Sequence, residues 1–361
     1  MEPMSARPPE ADRLAHALRE LRDRLPGSLR ELSAQTHASP SALSRYLTGQ
    51  AIPPAGFAEQ LARLARANPA EVLALRTAAL RARRRSRSPS LSRPGSGSGP
   101  ARVVVGVAGP DRSVLADPYV SRVVAAGAEV CGRLGLGVSL QWLPLAGRDP
   151  LGALAEDGGV AGLVLVNTTS ELLKGLPRGL RGRVASIGIG SPGVPAVDVD
   201  GASGAAAVVE HLYASGRRRI AMVTGPAWLP CSRRPVDAYV RVMQAAGLQV
   251  RTVPGDFGYR SGVAGAETIL DRWPTTDAVF AICDQTALGV LAALADRSVR
   301  VPGDVAVAGF DDSPFAAVSW PPLTTATHPV EAIARAAALT VLGGVEGPTR
   351  FPSELVRRRS A

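Results

Sequence analysis

The stretch VAVAGFDDSPFA, Val305 to Ala316, ends an apolar run with two adjacent carboxylates, Asp311 and Asp312. Such a pair can open four kinds of chemistry: acid–base catalysis, metal ligation, a clamp on a ligand's hydrogen-bond donors, or the capping of a turn. Neighbouring side chains on an extended segment point to opposite faces, which is poor geometry for one catalytic pair. Other catalytic signatures are missing. There is no GxSxG elbow, and the four histidines (His16, His37, His211, His328) are scattered without HExxH spacing or a Cys/His cluster. His211, inside VVEHLYASG, reads as a surface or interface residue. GIGSPG, Gly188 to Gly193, is a literal GxGxxG after a strand, but it runs on into the extended segment AVDVD. A dinucleotide site needs a helix there to meet the pyrophosphate, so these glycines read as a loop. Neither a cofactor, a metal nor an enzymatic reaction is expected.

The carboxylates need a frame. From Arg102 onward short β-rich runs (RVVVGVAG, GVSLQWL, AGLVLVN, GRVASIGI, then RRIAMVTG, LQVRTVPG, AVFAIC, DVAVAGF) alternate with helical stretches such as DPYVSRVVAAGAEVCGRLG and QTALGVLAALADR. Alternation at this spacing implies parallel sheets covered on both faces. Eight or more units imply two doubly wound lobes, with ligand at the carboxyl ends of the strands, in the cleft.

Residues 1–80 read differently. ADRLAHALRELRDRL spaces Leu14, Leu18, Leu21 and Leu25 three or four apart, an amphipathic helix. SLRELSAQT opens with Ser28 and Glu31 in capping-box spacing, and ASPSALSRYLTGQ opens with Ser39 as cap and Pro40 behind it and stops at Gly49. Two further helices follow, the last capped by Asn68, so five short helices make an all-α domain. The second and third, joined through His37, Ala38 and Ser39, have the helix-turn-helix layout. Ala42, Leu43 and Leu47 face inward, which leaves Ser39, Ser41, Ser44 and Arg45 to hydrogen-bond phosphates and base edges in a major groove.

Charge placement agrees. Met1 to Ala101 holds sixteen arginines, no lysine and eight acids, a balance of +8 out of a total of +10. A basic end suggests a polyanion partner. Residues 81–101, RARRRSRSPSLSRPGSGSGPA, have no apolar periodicity and read as a mobile linker. Three widely spaced cysteines (Cys131, Cys231, Cys283) fit reduced thiols. With no signal-like or spanning apolar segment, a cytoplasmic protein without membrane contact is expected.

Two resemblances sharpen this. LRELSAQTHASPSALSRYLTGQAIPP resembles Xre/Cro-type helix-turn-helix domains. The phrases VDVDGASGAAAVVEHLYASGRRRIAMVTGP, DAVFAICDQTALGVLAAL, VPGDVAVAGFDDSP, PPLTTATHP and FPSELVRRRS, in that order, resemble the effector-binding domain of the LacI/GalR family over about Val103 to Ser360. The resemblance implies an all-α helix-turn-helix domain followed, over 102–361, by an α/β two-lobed periplasmic-binding-protein-like domain. It places about 102–197 and 322–343 in the first lobe, and 198–320 and 346–359 in the second.

It also implies a homodimeric regulator, a repressor, that binds double-stranded DNA operators under control of a sugar-like or related small-molecule effector. Asp311 becomes the ligand contact and Asp312 the cap of the turn before Pro314. Phe257 stacks on the effector, and Asp111, Tyr119, Arg234 and Asp284 complete the candidate set. Two positions depart from the family pattern. Cys283 stands where an Asn precedes Asp284, and Pro235 where an Arg is usual, with Arg234 one residue early. No hinge helix is readable in the linker. The alternatives are a regulator whose pocket serves mainly dimerisation, and a cytoplasmic solute-binding protein.

Overall fold

The structure, a computed structural model, describes residues 9–36, 38–87, 101–146, 150–343 and 350–361. The chain divides into two units, Met1–Pro100 with Leu339–Gly347, and Ala101–Ala338 with Pro348–Ala361.

The first unit is helical: α1 (Pro9–Asp23), α2 (Leu29–Thr36), α3 (Pro40–Leu47), α4 (Ala55–Leu64) and α5 (Pro69–Arg87). Leu14, Leu18 and Leu21 of α1 pack with Leu32, Leu43, Phe57 and Leu61 in one apolar core. The capping box forms as spaced: Ser28 N–H donates to Glu31 Oε2 at 2.6 Å, and Glu31 N–H to Ser28 Oγ at 3.3 Å. Ser39 Oγ accepts from Ala42 N–H, and Asn68 Oδ1 from Ala70 N–H at 3.0 Å. Helix α5 continues to Arg87, past residue 81 where the linker was expected to begin; of that linker, 88–100 lie outside the described residues.

The second unit carries two parallel sheets and a two-stranded antiparallel one, in which Thr325 and Ala326 pair with Val356 and Leu355. Its first lobe is built from β1 (Arg102–Gly109), α6 (Pro118–Gly132), β2 (Gly137–Pro144), α7 (Pro150–Glu156), β3 (Val160–Val166), α8 (Ser170–Lys174), β4 (Val184–Ile187) and β5 (Ala196–Val199). The second lobe follows with α9 (Gly201–Ala214), β6 (Ile220–Val223), α10 (Arg233–Ala245), β7 (Thr252–Val253), α11 (Tyr259–Arg272), β8 (Ala278–Ala281), α12 (Asp284–Asp296), β9 (Ala306–Ala308) and α13 (Pro314–Val318). The chain ends with β10 (Thr325–Ala326), α14 (Val330–Val341), β11 (Arg350–Phe351) and β12 (Leu355–Val356). The first sheet has the order β11-β5-β4-β3-β1-β2 and the second β7-β6-β8-β9, all neighbours parallel. Seven of the eight residues of β1 and all of β6 and β8 are buried, as strands covered on both faces must be. Gly188–Gly193 forms a turn closed between Ser191 and Val194, and β5 follows without a helix.

The expected lobe boundaries shift at the chain's end. Arg350 and Phe351 pair with β5 in the first sheet, although 346–359 were expected in the second lobe. Thr324 and Thr327 bridge to Ala308 and Asp311, so this piece of 322–343 belongs beside the second sheet. These edge pairings depend on contacts between segments far apart in sequence. The crossings between lobes are tied together: Asp200 N–H donates to Phe351 O at 2.7 Å, Ser353 Oγ to Thr327 O at 2.7 Å, and Thr327 N–H to Glu354 O at 2.8 Å.

Candidate functional site

A cavity of about 540 Å³ opens between the two lobes of the second unit. That is within the range of small-molecule sites. Strand ends and helix starts build it, because parallel strands leave their carboxyl ends at one rim. Of the residues expected from sequence, Tyr119, Arg234, Phe257, Asp284 and Asp311 line it.

Asp311 follows β9 with φ at +117°, and Asp312 with φ at +46°. The segment is therefore not extended, but the carboxylates still part. Asp311 N–H donates to Ala326 O at 2.9 Å, and Asp311 Oδ1 lies 2.9 Å from His328 Nδ1. Asp312 does not cap the turn before Pro314. Its Oδ1 accepts from Arg358 Nη2 at 2.6 Å, and Ser313 is the residue that precedes α13. Arg358 is 46 residues away, so local turn statistics could not find it.

Asp284 is 1% exposed and saturated: it accepts Ser313 N–H at 2.7 Å and Thr325 O–H at 2.6 Å. It braces α12 against the β9 exit and β10. Burial pushes its carboxyl up to about 7, helped by the negative charge of Asp311 and against its hydrogen bonds. Asp111 falls outside the cavity lining. It is exposed and caps a 3-10 turn, accepting Ser113 N–H at 2.8 Å. The acid at the first-lobe rim is Asp117, which caps α6 by accepting Tyr119 N–H at 2.8 Å. Burial raises the Asp117 carboxyl, and Asp311 and Asp256 push the same way. Asp117-Pro118 carried a readable helix-start signal, but two acids six residues apart compete for one role.

Arg234 reaches the cavity despite Pro235 standing at the usual position. It forms an ion pair with Asp198 of β5 and donates to Gly188 O at 3.2 Å, joining α10 to the first lobe. Arg122, also lining the cavity, holds Glu331 with both carboxylate oxygens, at 2.7 and 3.0 Å. Phe257 is half-buried, and its carbonyl accepts from Cys283 Sγ at 3.3 Å. The Cys283 thiol is pushed up by burial and is held between Phe257 O and Thr286 Oγ1. Here the thiol fills the position of the family's Asn. His328 was not a sequence candidate, since its link to Asp311 exists only across strands.

In the first unit, Ser39, Ser41, Ser44 and Arg45 are all exposed, from the N-cap of α3 to its last turn, while Leu43 is fully buried. Ser39 Oγ and Ser41 Oγ are 3.2 Å apart, and Arg45 Nε donates to Ser41 O at 3.3 Å. His37 lies outside the described residues.

Among the described residues no helix is long and apolar enough to cross a membrane, and no cluster of three or more His, Cys, Asp or Glu side chains could hold a metal ion.

Residues 209–360 match the family model of the periplasmic binding protein-like domain, and residues 13–75 that of a helix-turn-helix domain. The HTH-type transcriptional regulator CelR of Thermobifida fusca is 32% identical over 266 residues, 68% of this chain and 75% of that protein. The solved CelR–cellobiose complex superposes with a TM-score of 0.62 at 27% identity, over 93% of this chain and all of that one. The Lac repressor dimer bound to operator and the anti-inducer ONPF shares the fold, with a TM-score of 0.60 at 22% identity over 73% of this chain and 95% of that one. With its helix-turn-helix unit and its two-lobed α/β unit, the chain belongs to the LacI family of transcriptional regulators.

Proposed function

We propose that this regulator binds operator DNA through α3 and that a small organic molecule in the interlobe cavity alters that binding. The observation that carries the reading is a 540 Å³ cavity on the same chain as an exposed, Ser- and Arg-bearing second helix of a helix-turn-helix pair. Ser39, Ser41, Ser44 and Arg45 are the side chains that meet DNA, Arg45 at a base edge or phosphate. Asp311, Phe257, Tyr119 and Asp117 are the side chains that meet the effector, with Asp284 and Arg234 holding the walls in place. In CelR the bound molecule is cellobiose. A ligand of that size fits this volume.

The regulator acts in the cytoplasm, as a repressor, and as a homodimer, so its operator is a palindrome or a pair of half-sites. Association between copies is supported by an apolar surface around α13. Phe315, Val318 and Trp320 are 54%, 78% and 82% exposed, unusual for side chains of this size. The chemistry is binding rather than turnover: among the described residues that line the cavity, no serine or cysteine side chain is hydrogen-bonded to a histidine.

Selection of sites from a random DNA pool by the full-length protein tests the reading. Enrichment of a two-fold symmetric motif, lost when Arg45 is changed to Ala, is the expected result. A protein that enriches no motif overturns it.

A further inference from the structure

The cavity's charge is unbalanced in a way that specifies its ligand. Two guanidinium groups line it, and both are engaged by carboxylates, Arg122 by Glu331 and Arg234 by Asp198. Each guanidinium's charge is therefore already matched by a carboxylate. The acids are in the opposite condition. Asp117, at the start of α6 in the first lobe, uses Oδ1 for its helix cap, and Oδ2 has no hydrogen-bond partner among the described residues. Asp311, in the second lobe, uses Oδ1 for His328, and its Oδ2 likewise has none. Both line the same cavity, close enough that the charge of Asp311 raises the Asp117 carboxyl.

Two further atoms point to a missing hydrogen-bond partner. Ser232 is 6% exposed, lines the cavity, and its Oγ makes no hydrogen bond. His328 also lines the cavity, and its buried Nε2 has no partner. With Nδ1 facing Asp311 Oδ1 at 2.9 Å, Nε2 is the ring atom left for a ligand to meet. Around these acceptors stand the aromatic rings of Tyr119, Phe257 and Phe310. Ring faces attract cations.

We infer that the cavity takes an organic cation, an amine with an apolar or aromatic body, whose ammonium group bridges Asp117 of the first lobe and Asp311 of the second. The inference rests on the reading of this cavity as the effector site. An inorganic ion is a poorer match, since no cluster of three or more metal-ligating side chains exists among the described residues. Bridging by one ammonium also gives the ligand a grip on both lobes, which a ligand held within one lobe lacks.

The test is calorimetric titration of the full-length protein with 2-phenylethylamine, its neutral counterpart 2-phenylethanol, and cellobiose. The amine should bind at least tenfold tighter than the alcohol and tighter than cellobiose. Asp117→Asn should erase the preference of amine over alcohol. Asn caps a helix as well as Asp does, so α6 should stay folded. Asp311→Asn is the second variant, since Asn has the shape of the Asp it replaces and lacks only its charge. Cellobiose or phenylethanol binding as tightly as the amine overturns the inference, as does an amine affinity unchanged in both variants or no amine binding at all. A neutral ligand that binds and shifts DNA affinity refutes the cation and leaves the regulator reading intact. Failure to select a DNA motif refutes the regulator reading alone.

Discussion

Helices α11 and α12 cross with no side chain between them. Gly262 and Gly289 face each other there, and a Cβ built on Gly289 would lie 2.0 Å from Tyr259 O and 2.9 Å from Val263 N. A carbon beside a carbonyl oxygen needs about 3.3 Å, so Gly289→Ala must push the helices apart by about 1.3 Å. The obstacle is backbone, which cannot rotate away as a side chain can. Overpacking of this kind costs about 1–3 kcal/mol, and a rigid obstacle puts it at the upper end. Against that, Ala gains about 0.5–1 kcal/mol over Gly in a helix. The net expectation is a loss of about 2–2.5 kcal/mol. The damage should not stay local, because the N-terminal ends of these helices flank the cavity and Cys283 Sγ donates to Phe257 O at 3.3 Å between them. Urea unfolding followed by circular dichroism measures the stability. Gly127→Ala in α6 is the control, since a Cβ there meets nothing within 4 Å. It should raise stability by about 0.5–1 kcal/mol. A Gly289→Ala protein as stable as Gly127→Ala would refute the close-crossing argument, because both would then show propensity alone.

Other perturbations test other contacts. Arg45→Ala should weaken operator binding by about 1–3 kcal/mol if Arg45 reads a base, measured by fluorescence anisotropy across operator variants; a uniform loss over all sequences would mark a phosphate contact instead. Asp284, held near 7 by burial, binds its proton more tightly folded than unfolded. Its contribution to stability is therefore complete below the unfolded value near 3.9 and lost as pH rises through about 7, at no more than about 1.4 kcal/mol per pH unit. Asp284→Asn should flatten the pH dependence of unfolding between pH 4 and 7, and an unaltered slope would contradict the assignment. Arg234→Ala leaves Asp198 unpaired in a partly buried site and should lower stability by about 1–3 kcal/mol, with Asp198→Asn in the same chain restoring part of the loss. Ser28→Ala removes half of the capping box and should cost about 1 kcal/mol in the helical unit, read from thermal unfolding.

What could be read from sequence and what could not divide along a physical line. Helix starts at Ser28, Ser39 and Asn68 were legible because a cap and its partner lie within three residues of each other. The strand series was legible because strands buried on both faces must be continuously apolar. Asp311 and Phe257 reached the cavity as the family resemblance implied. Partnerships made over long separations stayed hidden: Asp312 with Arg358, Asp311 with His328, Asp284 with Thr325. Asp111 and Asp117 are hard to tell apart in the sequence because both follow the first strand and both cap a turn of helix. Only the course of the chain between them puts one at the cavity and the other on the surface.

The place of Asp311 has a mechanical consequence. Its backbone is fastened on both sides of the chain's return between lobes, N–H to Ala326 O at 2.9 Å and carbonyl to His328 N–H at 3.2 Å. Those residues border the crossing that is itself tied to Ser353 and Glu354. A molecule bound at the Asp311 carboxylate would therefore pull beside the crossing between the lobes rather than out along an arm. Near a fulcrum a small displacement becomes a wide sweep at the far rim, and force applied there is traded for travel. If the lobes turn about this crossing, a ligand only slightly different in length would set them at a measurably different angle.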